Sequence, residues 1–145
     1  MLSQNLQILL AIILGGFIPS QALPQTDGWA FAYATAMQRA EERLSDMGYS
    51  RPGSIAGDLF RDGQSGEMTI HMTGPGLIVA ACDQDCSGAR VELVSSGSGP
   101  TGSEVVWVDA ANGITSYPAD VRIRVHLYSC STPRCAVVAM GSGTY

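Results

Sequence analysis

Hydrophobic and polar positions change rhythm twice along the chain. Residues 6–18, LQILLAIILGGFI, form an apolar run with Gln7 as its one polar residue and carry no charge. From Trp29 onward the apolar positions fall three and four apart, at Trp29, Tyr33, Ala36, Met37, Ala40, Leu44 and Met47. That spacing places them on one face of a helix. Thr26 or Asp27 is the expected N-cap and Gly48 the expected left-handed stop. Arg39, Glu42, Arg43 and Asp46 form the solvated face.

Residues 50–54, SRPGS, break the helical pattern, and the period falls to two. In EMTIHMT, Met68, Ile70 and Met72 point one way, and Thr69, His71 and Thr73 the other. ARVELV sets Val91 and Leu93 against Arg90 and Glu92. VRIRVHLY sets Val121, Ile123, Val125 and Leu127 against Arg122, Arg124, His126 and Tyr128. GLIVAAC, EVVWV and CAVVAMG are continuous apolar strands, in which Trp107 reads as core, as does Trp29 under the helix. Glycine-rich turns (GQSG, TGPG, SSGSGPTGS, ANG) separate the runs. Short strands at this spacing predict a mainly β fold: an antiparallel β-sandwich, jelly-roll-like, with one N-terminal amphipathic α-helix. Its expected divisions are residues 1–22, then 23–53 as helix and linker, then 54–145 as the sandwich domain.

The apolar run at 6–18 has the length of a signal-peptide core and falls short of the roughly 20 residues a spanning helix needs. Ser20, Gln21 and Ala22 follow it as a small-residue cleavage site. The reading is a signal peptide over residues 1–22 and a periplasmic or secreted protein, with no membrane span once that segment is removed. An uncleaved anchor is the alternative, since no basic residue precedes the apolar run.

Charge narrows the chemistry. The formal net charge is −5, and all eight basic residues are arginines. The absence of lysine excludes Schiff-base catalysis, and an acidic chain without a basic patch argues against nucleic acid.

Four cysteines stand as two close couples, Cys82/Cys86 and Cys130/Cys135. Three pairings are possible. Loop entropy favours long-range bonds, about 4 kcal/mol against about 2 for a local loop, whereas proximity favours the local pairs. Disulfides are the expectation for an exported chain, formed locally as Cys82–Cys86 and Cys130–Cys135. A four-cysteine zinc site would more often show two-residue spacers, and no C-x-x-C redox motif is present. Between the first couple, Asp83 and Asp85 offer hard oxygens to calcium, although Ca²⁺ wants six to eight of them.

Residues 76–139 resemble the pre-peptidase C-terminal-like β-sandwich domains of small exported bacterial proteins. The resemblance rests on VAACDQDC, ARVELV, EVVWVDAANG and VRIRVHLYSCSTPRC. It implies an accessory module without catalysis of its own. Ala89, Arg90 and Val91 depart from the acidic strand of that pattern, which implies the loss of any cation site built on it.

No catalytic constellation stands out. Two histidines, His71 and His126, occupy outward strand positions, and no G-x-S-x-G elbow is present. Arg122, Arg124, His126 and Tyr128 share one strand face that could bind an anion. The expectation is a non-catalytic binding or envelope-accessory protein whose partner is an envelope protein or glycan. The alternatives are a calcium-dependent module and a small periplasmic hydrolase using His126 or His71 with an acid or serine.

Overall fold

The computed structural model describes residues 22–49, 52–96 and 103–143. The expected signal peptide, except Ala22, lies outside the described residues, as does most of the SSGSGPTGS loop. Among the described residues, no helix is long and apolar enough to cross a membrane.

Helix α1 spans Ala22–Asp46. It begins upstream of Thr26 and Asp27, which are therefore helical and not caps. Pro24 does not prevent this, because the first-turn N–H groups have no intrahelical partner in any case. The stop is as expected: Gly48 takes φ +91°, and Tyr49 N–H reaches back to the Leu44 carbonyl at 2.9 Å. Among the described residues, the part of the helix up to Phe31 and the chain from Ala32 belong to separate units. In the first, Trp29 is 36% exposed, which corrects its assignment to the core.

In the second unit, seven strands form two antiparallel sheets. They are β1 (Ser54–Phe60), β2 (Ser65–Met72), β3 (Gly76–Cys82), β4 (Cys86–Leu93), β5 (Val105–Val108), β6 (Ala119–Cys130) and β7 (Cys135–Gly143). Sheet A has the order β1-β7-β3-β5 and sheet B the order β2-β6-β4. The predicted β-sandwich is the observed fold. Met68, Ile70, Met72, Val91, Leu93, Val121, Ile123, Val125 and Leu127 from sheet B meet Ile78, Ala80, Val137 and Ala139 from sheet A in one buried cluster. On the other side of sheet A, Ala36, Ala40 and Leu44 of α1 cover Leu77, Val79, Val138 and Met140. Strands β3 and β7 are thus buried on both faces, which is why GLIVAAC and CAVVAMG read as unbroken apolar runs. Sheet B has one wet face, and its strands alternate. Packing between the sheets is tight at Gly141, where an added Cβ would lie 2.6 Å from Ile70 Cγ2.

Two elements differ from the pattern reading. Strand β1 has no period-two signature, because Gly57 and Asp58 interrupt it. At Gly57 an added Cβ would lie 3.0 Å from the Tyr33 ring, a tight contact that the ring would have to relieve. Trp107 is 45% exposed. It lies on edge strand β5, where Tyr49 meets it edge-on with ring centroids 6.4 Å apart.

Three turns that carry the chain between the sheets gather at one end: residues 61–64, 83–85 and 131–134. The cysteines pair locally, Cys82 with Cys86 and Cys130 with Cys135, at Cα separations of 6.2 and 6.0 Å. Each bond ties the last residue of a strand in one sheet to the first residue of a strand in the other. Aspartates lace the turns together. Asp83 is 1% exposed; its Oδ1 accepts from Asp85 N–H at 2.9 Å and its Oδ2 from Ala136 N–H at 2.8 Å. Asp62 Oδ1 accepts from Cys130 N–H at 2.8 Å. Arg39 of α1 donates to the carbonyls of Cys82 and Asp83 at 3.1 and 2.6 Å.

Two outcomes follow for this end. Peptide mapping under non-reducing conditions should return the two local pairs. A Cys86–Cys130 linkage, open to these residues because they are ladder partners, would contradict the pairing. Asp83→Ala should cost about 3–5 kcal/mol in urea unfolding of the oxidised protein, because two charge-assisted bonds are lost and two backbone donors are stranded. A loss within the usual scatter of surface substitutions would refute the latch.

Candidate functional site

The outer face of sheet B is where the titratable side chains converge. Register brings them together: Ser65 faces His126, Glu67 faces Arg124, Thr69 faces Arg122 and His71 faces Asp120 on the β2–β6 ladder. On the β4–β6 ladder, Arg90 faces His126, Glu92 faces Arg124 and Gly88 faces Tyr128. Alternation points all of them outward, as the sequence predicts for β6.

Glu92 is the centre of the cluster. Its side chain is only 5% exposed; Oε2 accepts from His126 Nε2 at 3.1 Å and from Arg124 at 3.4 Å. Its Oε1 and the Arg90 Nε are buried without a hydrogen-bond partner among the described residues. Ser65 Oγ is in hydrogen-bond contact with His126 Nδ1. Glu67 joins the second half of the face, bonded to Arg122 and, at 2.9 Å, to Arg124. His71 Nδ1 lies 2.8 Å from Asp120 Oδ1. The Arg90 guanidinium sits over the Tyr128 ring, 4.4 Å from its centroid.

The hydrogen bonds from Arg122 and Arg124 hold the Glu67 carboxyl below its usual range. The same bond from Glu67 raises Arg124. Glu67, Arg122 and Arg124 therefore satisfy one another's charge.

Each expected site residue now has a place. Arg122, Arg124, His126 and Tyr128 share the predicted face, but both arginines are occupied by Glu67 and Glu92, and the Tyr128 ring by Arg90. A ligand reaching this face would meet arginines already paired with carboxylates. Asp83 and Asp85 share one turn. The Asp83 carboxylate is buried, and each of its oxygens accepts one backbone N–H. Among the described residues, no group of three or more His, Cys, Asp or Glu side chains is placed to hold a metal ion. Both histidines have a carboxylate partner, as the hydrolase alternative requires, but they lie on an open sheet face. Ser65 was not singled out by the sequence. Its only signal is its ladder position opposite His126, which depends on knowing the β2–β6 register.

No family model, curated protein or solved structure matches the chain.

The sign of the pH dependence follows from Glu67. A carboxyl depressed in the folded state contributes stability above its ordinary value of 4.5, and loses it as pH falls through the lower folded value. Glu67→Gln should therefore melt below the wild type at neutral pH, with the gap closing in acid. Melting curves that stay parallel from neutral pH into acid would contradict the pairing.

Proposed function

We propose that this is an extracytoplasmic, non-catalytic binding module that meets a protein partner through the outer face of sheet B. Two disulfides support an oxidising environment for the fold, and the apolar segment at 6–18 supports export, to the periplasm or beyond. The carrying observation is the face itself: an exposed sheet surface whose charges are paired across strands and which holds its side chains in fixed positions. Such a face recognises by complementarity of charge and hydrogen bonding. Arg90 covers the Tyr128 ring, the surface on which a sugar would stack, so a protein is favoured over a glycan; Tyr and Arg are also enriched at protein interfaces.

Size sets the strength. Strands β2 and β4, of eight residues each, flank β6 of twelve, which makes a sheet face roughly 27–41 Å long and about 14 Å wide. That falls short of the ~800 Å² per partner typical of stable complexes, so the contact is a transient one.

A specific observation also favours a second reading, a serine hydrolase. Ser65, His126 and Glu92 form a continuous hydrogen-bonded chain. Its order opposes a working triad, since the serine sits on Nδ1, close to the backbone, and the acid on Nε2. Oxyanion donors are lacking among the described contacts, and the backbone of β2 is committed to the ladder.

One experiment addresses each reading. A photo-crosslinking residue at Thr69, on the outer face, should trap one defined envelope protein that the same residue at Ser45 on α1 does not. Equal trapping from both positions, or none, would refute the binding face. Labelling by a fluorophosphonate probe at Ser65, abolished by His126→Ala, would establish the hydrolase instead.

A further inference from the structure

The arginines account for an additional site. Arg51 lies outside the described residues. Of the other seven, Arg39 is held by the Cys82 and Asp83 carbonyls and Arg43 pairs with Glu104 at 3.5 Å. Arg122 and Arg124 are occupied by Glu67 and Glu92, and Arg90 lies on Tyr128. Arg61 and Arg134 remain, their guanidinium groups without a partner among the described residues. Both line one cleft of about 510 Å³ between the β1–β2 turn and the Cys130–Cys135 loop, with Leu59, Asp62, Gly63 and Gln64.

The walls of this cleft are braced. Arg61 N–H donates to Gln64 Oε1 at 2.8 Å, and Gln64 N–H to the Arg61 carbonyl at 3.0 Å. Gly63 closes that turn at φ +74°, where only glycine is at ease. On the other side, the disulfide closes the loop, and Thr132 Oγ1 donates to the Arg134 carbonyl at 2.8 Å. Asp62 joins the two walls through Cys130 N–H.

The chemistry is that of a donor set. Because the Gln64 oxygen is taken, its amide nitrogen is left to donate, beside two planar guanidinium forks. The one acid, Asp62, has an oxygen turned onto the backbone. Two forks and an amide suit a tetrahedral oxyanion, to which guanidinium bonds in a bidentate manner. In a chain of net charge −5, two unpaired cations on one cleft form a local exception to the overall sign.

We propose that this cleft binds a phosphate group, as free phosphate or as the headgroup of a phospholipid. The site is separate from the sheet B face, and crosslinking at Thr69 can fail without affecting it.

The test is a titration of the oxidised protein with inorganic phosphate, followed by the amide resonances of Gly63, Gln64 and Arg134, with chloride at matched ionic strength as the blank. Saturable shifts are expected. Each of Arg61→Ala and Arg134→Ala should weaken binding about tenfold, and Arg43→Ala should leave it unchanged. In a parallel arm, vesicles containing phosphatidic acid are compared with phosphatidylcholine alone. Arginine-dependent sedimentation with the former assigns the phosphate to a lipid headgroup, and saturation by free phosphate without vesicle binding assigns it to a soluble ligand. No saturable response in either arm, or one that survives the double Arg61→Ala, Arg134→Ala variant, would overturn the site.

Discussion

The carboxylate of Asp83 is sealed from solvent, with one oxygen on the amide of its own turn and the other on the amide of Ala136. A buried carboxylate is costly unless its oxygens are filled by donors, and here both are. The bonds join the β3–β4 turn to the first residues of β7, so they fix one sheet-switching turn against another. The backbone repeats the connection: Asp83 N–H donates to the Ala136 carbonyl at 3.1 Å, and Ser131 N–H to the Asp85 carbonyl at 2.9 Å. Arg39 then brings the helix to the same point.

The disulfides act on the same end with a modest effect. Each closes a short loop worth about 2 kcal/mol. Their larger consequence is positional, because each spans the two sheets where the chain crosses between them. Sheet B is thereby held on sheet A at the end where β4 and β6 begin and finish their pairing. The face that carries Ser65, Glu92 and His126 depends on that register. A slip of one residue would turn every outward side chain into the core.

Much of this was legible in the sequence, for identifiable reasons. Strand β6 alternates cleanly because one face is core and the other water, so Val121 to Leu127 and Arg122 to Tyr128 sort themselves. Local cysteine pairing followed from the reach of short loops. Strand β1 was hidden because Gly57 and Asp58 interrupt its alternation on an edge strand whose residues are mostly exposed or half-buried. Trp107 misled because hydrophobicity does not distinguish an edge strand from a central one. The Glu92 cluster and the Arg61–Arg134 cleft are products of register and of turns meeting in space, and spacing along the chain carries neither. Asp83 shows the limit most clearly. The D-x-D spacing marks a turn rich in carboxylates but does not reveal that the first one bonds the Asp85 and Ala136 amides, a substitute for ladder partners that a turn cannot provide.

The most direct measurement of this account is native-state hydrogen exchange at the Ala136 amide in the oxidised protein. If Asp83 is the latch between the turns, that amide exchanges only through global unfolding, among the slowest in the chain, and Asp83→Asn speeds it more than it speeds the amides of the β2–β6 ladder. Exchange at Ala136 as fast as in exposed turns, or a uniform response to Asp83→Asn across the sandwich, would contradict it.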